Sequence, residues 1–247
     1  MNPFERHGIK LLSPSSLNLY AANPCLWVGR YLSGWQDDMG PAGHRGSAVE
    51  SGLDHWLFER NQDQACVVAG NRFAELTGGQ CDEEHDAERA NITPMLSQAI
   101  IALKDFEKPV ARQIKVEYWA NGVEVPIIGY VDYLWEDFGV DLKTTKACPS
   151  SIKSDHGRQV ALYAAAKERP FKVLYVTGKK SAIYDLTAED QASHLRDLER
   201  QARAVRHLLK HAENAEDAGK FFAPEFSDFR WGPKTMDAAN QAYGSAA

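Results

Sequence analysis

Four side chains carry the chemistry that this sequence suggests: Glu50, Asp132, Asp141 and Lys143. Asp141-Leu142-Lys143-Thr144 lies in a β-rich stretch, where side chains alternate between faces, so Asp141 and Lys143 project together while Leu142 turns into the core. Asp132, from the preceding strand, can join them. Two carboxylates pressed together repel and raise each other's pKa unless a divalent cation shares them, and hard oxygen donors suit Mg²⁺ or Mn²⁺. An ammonium two residues from such a ligand can orient or help activate an attacking water and offset charge on a phosphorane, which phosphodiester hydrolysis requires. Glu50 precedes Leu53 and Leu57 at helical spacing, on the edge of an apolar stripe, where a buried carboxylate again needs a partner or a cation. A surface hairpin with an ordinary Asp–Lys pair would show the same Asp-x-Lys, so the pattern gains weight only from its surroundings. Asp54, one turn beyond Glu50, reads as a solvated residue.

The elements that must position these groups follow from period and punctuation. Ser13-Pro14 opens a helix to about Ala22, stopped near Pro24. After the Gly40-Pro41 breaker a second helix is expected from about Gly46 to Arg60, with Val49, Leu53, Trp56 and Leu57 at helical spacing. Residues 61–107 predict one or two helices, the last from about Thr93 to Phe106. The period then changes: Gln113 to Trp119 is β-rich, Asn121-Gly122 is a hairpin signal, Val123 to Trp135 predicts a long second strand, and Gly139 turns into a third, Val140 to Thr144. Helix 154–168, strand Phe171 to Thr177 and a long helix opened by Thr187 and Asp190 complete the order. Residues after Trp231 read as a loose terminus.

At 247 residues, 44% hydrophobic and 25% charged, the chain suits one soluble domain with a sizeable core, and no apolar run is long enough to span a bilayer. Met1 to Leu12 carries charges rather than a secretory apolar stretch, so a cytoplasmic location is expected. Cys25, Cys66, Cys81 and Cys148 have no disulfide-framework spacing, and the pair Cys81 and His85 lacks a second ligand pair for zinc. The net charge of −6 argues weakly against a nucleic-acid partner, but it is unevenly spread. Residues 75–90 hold six acids against Arg89, whereas residues 141–182 hold nine Lys or Arg against Asp141, Asp155 and Glu168. That segregation is either two solvated faces or a basic groove on an acidic protein.

Arg45-Gly46-Ser47-Ala48-Val49-Glu50, Gly129-Tyr130-Val131-Asp132, Asp141-Leu142-Lys143-Thr144 and the helix Asp155-His156-Gly157-Arg158-Gln159-Val160-Ala161-Leu162-Tyr163 occur in the order of the motifs of the PD-(D/E)XK nucleases. With Leu12-Ser13-Pro14-Ser15-Ser16-Leu17 and Asn23-Pro24-Cys25, the chain resembles the RecB-like and phage-type recombination exonucleases across residues 12–178. The resemblance implies an α/β (mixed α+β) fold with a restriction-endonuclease-like core, a central mixed β-sheet flanked by helices in αβββαβ order, and added N-terminal and C-terminal helices. It implies one domain over 1–247, with a core at about 44–178, a helical insertion at about 61–107 and a C-terminal helix at about 187–214.

By the same resemblance Glu50, Asp132, Asp141 and the Leu142 carbonyl would bind one or two Mg²⁺ or Mn²⁺ ions, and Lys143 and Gln159 would join them in catalysis. Arg45, Lys146, Lys153, Arg158, Tyr163 and His156 become candidate nucleic-acid contacts, with helix packing the alternative for Tyr163 and plain solvation for the cations. Several relatives hold an iron–sulfur cluster through one early and three late cysteines, but no cysteine follows Cys148, so no cluster is expected and Phe221-Phe222-Ala223-Pro224 is expected to pack instead. The implied activity is a metal-dependent DNA exonuclease in recombination, repair or phage DNA metabolism, in the host cytoplasm if phage-encoded. A catalytically silent nucleic-acid-binding subunit and a structure-specific endonuclease are the alternatives. Beyond DNA, a single-strand annealing protein, a separate helicase and further copies of the chain are the partners to consider, since no P-loop pattern is present.

Overall fold

The computed structural model of the chain describes residues 1–244. The helices are α1 (Pro3–Arg6), α2 (Pro14–Ala22), α3 (Pro24–Leu32), α4 (Pro41–Glu59), α5 (Gln62–Leu76), α6 (Glu83–Ala90) and α7 (Ile92–Leu103), then α8 (Ser154–Lys167), α9 (Ala188–His211), α10 (Ala215–Gly219) and α11 (Pro233–Tyr243). The strands are β1 (Ala111–Tyr118), β2 (Ile127–Leu134), β3 (Gly139–Thr144), β4 (Phe171–Val176) and β5 (Ser181–Asp185), and they lie side by side in that order. β3 and β4 run parallel, which the crossover helix α8 makes possible, while the other pairs are antiparallel. The result is the mixed sheet flanked by helices that the resemblance implies.

Each face of the sheet buries its own apolar cluster. Val131, Val173 and Tyr175 pack with Val160 and Tyr163 of α8 and with Leu198, Ala202 and Val205 of α9. On the opposite face, Tyr133, Val140, Leu142 and Leu174 pack with Val49, Leu53 and Leu57 of α4, Phe73 of α5 and Leu96 of α7. Val140 and Leu142 therefore commit β3 to a register that turns Asp141 and Lys143 to the other face. Among the described residues, no helix is long and apolar enough to cross a membrane.

The pairing of β2 with β3 covers only Tyr133↔Val140 and Leu134↔Gly139, after which the strands part. Leu12 takes up the side of β2 that β3 leaves, accepting from Ile128 N and donating to Pro126 O. The Asp132 carboxylate fills the start of the gap: its Oδ2 accepts from Leu142 N at 2.8 Å, replacing a ladder bond by a side chain. The split thus places a carboxylate between two strands, beside Asp141.

Several boundaries differ from the sequence expectation. Pro24 and Pro41 begin helices rather than end segments, because each occupies a first-turn position where its missing N–H costs nothing. β2 begins at Ile127 instead of Val123, after Pro126, which has no N–H to donate, and the turn at Asn121-Gly122 belongs to a longer connection. Residues 61–107 hold three helices. β5 was not expected; its half-buried residues show no apolar alternation to read. Residues 232–243 are no loose tail, since α11 is anchored by Asp37, whose Oδ1 accepts from Lys234 N at 3.0 Å and Thr235 N at 3.1 Å; the last three residues of that expected tail lie outside the described residues. Phe222 packs inward as expected, while Phe221 is exposed.

Candidate active site

Asp141 is fully buried, and Lys143 Nζ lies 2.7 Å from its Oδ2. That contact is a buried ion pair on Oδ2, and the other carboxylate oxygen, Oδ1, is buried without a partner. A buried carboxylate oxygen without a partner is costly in a protein interior. Asp132 faces Asp141 across the split, and burial, reinforced by the Asp141 charge, pushes its carboxyl well above the usual range. Glu50 approaches from α4, and burial, then the charges of Asp54 and Asp141, raises its pKa as well. Burial alone would lower the Lys143 pKa, but the Asp141 and Asp132 charges outweigh it and hold the amine firmly protonated. Lys143 is therefore a cation and proton donor at this position, not a base.

Close packing underlies this arrangement. A Cβ at Gly46 would lie 3.2 Å from Thr144 Oγ1, so α4 meets the end of β3 tightly. At Gly129 a Cβ would collide with the ring of Tyr163, so only glycine lets α8 lie so low on β2. Gln159 Nε2 donates to Tyr163 Oη at 2.6 Å. Tyr163 is 2% exposed, and burial raises its pKa, so its phenol keeps its proton.

Sequence reasoning and structure part company at several residues. Arg45, expected at the nucleic acid, is buried and its guanidinium is committed to Glu88 of α6, with Thr144 Oγ1 at 3.4 Å. Tyr163 belongs to the core, so its tie to the site is through Gln159 rather than through a ligand. Lys146 and Lys153 are exposed on the connection before α8. Arg158, His156 and Gln159 line one groove with Lys143. His156 is fixed there by Tyr175 Oη, 2.8 Å from its Nδ1, and burial lowers its pKa.

Three groups escaped the sequence reading. Asp54 is only 18% exposed rather than solvated, pairs with Arg112 at 2.6 Å, and has its other oxygen buried without a partner. Its place one turn after Glu50 was a usable signal. Tyr133 is fully buried with its hydroxyl 3.4 Å from Glu50 O. Gln113 bonds the Glu50 carboxylate through its amide, and it does so from a left-handed backbone, φ +49°, inside β1. The β1–β2 ladder skips this residue between Arg112↔Tyr133 and Ile114↔Val131, opposite Asp132. Nothing in the residue type announces such a kink.

Among the described residues, no three Asp, Glu, His or Cys side chains are set to enclose an ion as they stand. Each acid is instead taken by an internal partner: Lys143 on Asp141, Gln113 on Glu50, Leu142 N–H on Asp132. The unpartnered Oδ1 of Asp141 and the clustered negative charge nonetheless fit a hard divalent cation, for which carboxylate oxygen is the preferred donor.

Comparison with known proteins agrees with this geometry. A family model described as the PD-(D/E)XK nuclease superfamily matches residues 11–229. The crystal structure of a candidate exonuclease from Eubacterium rectale superimposes with a TM-score of 0.56 over 93% of this chain and 92% of that one, at 14% identity, a likeness of fold. The crystal structure of SSO0001 shares 14% identity over 65% of this chain and 74% of its own, and its TM-score of 0.34 carries no argument. No curated protein matches the chain.

Proposed function

The chain belongs to the PD-(D/E)XK nuclease superfamily, whose chemistry is phosphodiester hydrolysis, and from that premise we propose that it is a Mg²⁺- or Mn²⁺-dependent deoxyribonuclease working as an exonuclease in recombination, repair or phage DNA metabolism. The carrying observation is Asp141, fully buried, its Oδ2 paired with Lys143 and its Oδ1 without a partner, beside Asp132 and Glu50. Asp132, Asp141, the Leu142 carbonyl and Glu50 would hold one or two ions. A bound ion supplies Lewis acidity toward the phosphate and lowers the pKa of water.

Without an ion the neighbouring acids hold Lys143 protonated, and as a cation it would orient the water through its N–H bonds and offset negative charge as the phosphorane forms. Gln159, fixed by Tyr163, presents its amide to the same groove as Lys143 and can hold a phosphate oxygen. Burial of Asp132 and Asp141 excludes water and strengthens every charge interaction among these groups. The exonuclease name of the Eubacterium rectale structure points the same way.

The test is cleavage of end-labelled linear DNA and closed circular DNA with Mn²⁺. Degradation of the linear form alone is the expected result. Cleavage of the circle would make the protein an endonuclease, and binding without cleavage of either would make it a silent subunit.

A further inference from the structure

A groove of about 760 Å³ opens on Lys143 and Gln159 and runs away from the acids between α2, α3 and α8 toward Arg230, in the segment before α11. Arg30 of α3, Arg158 of α8 and Arg230 converge on it from three separate parts of the chain. Each is held by a neighbour. Arg30 Nη2 lies 3.5 Å from Asp37, Arg158 Nε donates to Asn18 Oδ1 at 2.6 Å, and Arg230 Nη1 lies 3.0 Å from both oxygens of Asp228.

Asp37 and Asp228 are only 12% and 10% exposed, whereas Arg30 and Arg230 are 35% and 37% exposed. The acids sit beneath and fix the guanidinium groups, which stay reachable from the groove. Preorganised guanidinium groups of this kind suit phosphate oxygens, since little side-chain freedom remains to be lost. Asp155 also stands on the wall and sets a limit to how negative an occupant the groove accepts next to α8.

Next to Arg230 in the chain, outside the lining itself, stands Phe229, 86% exposed, with the Arg230 guanidinium 4.5 Å from its ring centre. An aromatic ring this exposed contributes almost nothing to the fold. One face carries a cation, and the ring as a whole is free to stack. A duplex keeps its internal bases stacked on one another and offers such a ring only the outer face of a terminal pair. A single strand offers bases with open faces, and cations alternating with aromatic platforms are how single strands are held without regard to sequence.

We infer that this groove is a single-strand binding track leading from the cleavage site, with phosphates on Arg30, Arg158 and Arg230 and a base stacked on Phe229. The inference rests on the nuclease reading only for where the cut falls.

The test is fluorescence anisotropy in EDTA with a labelled oligothymidylate and with a blunt hairpin duplex of equal length. Phe229→Ala should weaken oligothymidylate binding about tenfold, the equivalent of one lost base stack, while changing duplex binding less than about twofold. The triple variant R30Q/R158Q/R230Q should lower the slope of log affinity against log salt by about 2, at roughly 0.7 per single-strand phosphate. Its melting temperature should fall somewhat, because Asp37 and Asp228 lose their guanidinium partners, but a cooperative transition and the wild-type shift of that temperature with Mn²⁺ should remain, which separates loss of the track from loss of the fold or of the acidic site. Unchanged oligothymidylate binding in a folded triple variant, or an equal loss on both DNAs in F229A, would overturn the track while leaving the nuclease reading intact. Failure of the wild-type protein to bind or cut any DNA would overturn both.

Discussion

Asp132 and Asp37 are both partly buried aspartates, yet their surroundings drive their carboxyl groups in opposite directions. Around Asp132, burial dominates, the Asp141 charge adds to it, Lys143 and the Leu142 N–H offset only part of it, and the pKa rises. Around Asp37, burial acts the same way but is outweighed by Thr235 Oγ1 at 2.6 Å, two backbone N–H groups of α11 and Arg30, and the pKa falls. Ionisation of Asp37 strengthens the fold, whereas ionisation of Asp132 strains it.

Neutralising the buried acid beside Asp132 should cost the most in activity. Asp141→Asn is expected to lower Mn²⁺-dependent DNA cleavage by about a thousandfold or more while the melting temperature holds, measured by product formation at saturating metal. Cleavage within tenfold of wild type would end the contrast between the two regions. Lys143→Ala should also abolish cleavage, but it leaves Asp141 buried and unpaired, so its stability should fall unless Mn²⁺ is present.

Asp132→Asn sharpens the comparison from the side of stability. A raised folded pKa means that the native chain holds more protons than the unfolded one between the ordinary carboxylate range and the raised value, so stability drops as pH climbs through that window. The neutral amide can keep the Leu142 N–H bond and removes the repulsion. We expect the metal-free D132N protein to be about 1–3 kcal/mol more stable than wild type at neutral pH, by denaturant titration. The advantage should shrink toward zero in acid, where the wild-type aspartate is already protonated, and Mn²⁺ should stabilise the wild type more than the variant.

For Asp37 the sign reverses. A depressed folded pKa gives stability that is complete above the unfolded carboxylate range and is lost as pH falls through the folded value. Asp37→Asn should therefore destabilise the protein by about 1–2 kcal/mol at neutral pH, the cost of a lost charged cap, with the deficit disappearing in acid once the pH has fallen through the depressed folded value. Amide hydrogen exchange should show the loss confined to residues 233–243, with the sheet unaffected. Faster exchange spread over β2 and β3 would mean that Asp37 supports more than the C-terminal anchor.

The two regions also differed in how much of them could be read beforehand. Asp141, Lys143 and Asp132 were legible because strand alternation and the apolar neighbours Val140 and Leu142 dictate the face each side chain takes. Asp37 and α11 were not, because the cap and the helix it serves are almost 200 residues apart, and a segment such as Gly232-Pro233 reads as a turn when its capping partner lies elsewhere in the sequence. Arg45 was misassigned for the same reason: Glu88, which buries it, belongs to an insertion whose packing no local periodicity announces. Local patterns fix faces; long-range partners decide which charges stay free.

The smallest effect is expected at Gln113, which joins the strained region by both its backbone and its side chain. A left-handed backbone costs a non-glycine residue about 1–2 kcal/mol, and the structure accepts that cost where the amide meets Glu50 opposite Asp132. Gln113→Gly removes the backbone cost but adds freedom to the unfolded chain, and the two changes offset each other to within about 1 kcal/mol. Stability is thus nearly unchanged while the hold on the Glu50 carboxylate is lost. If Gln113 positions that carboxylate, the Mn²⁺ midpoint for thermal stabilisation should rise a few-fold with a parallel rise in the metal needed for half-maximal cleavage, and Gln113→Asn, whose amide is one methylene short, should not restore either. An unchanged Mn²⁺ midpoint in a stable Q113G protein would reduce the contact to a surface hydrogen bond, leaving the kink in β1 as a feature of strand geometry rather than of the site.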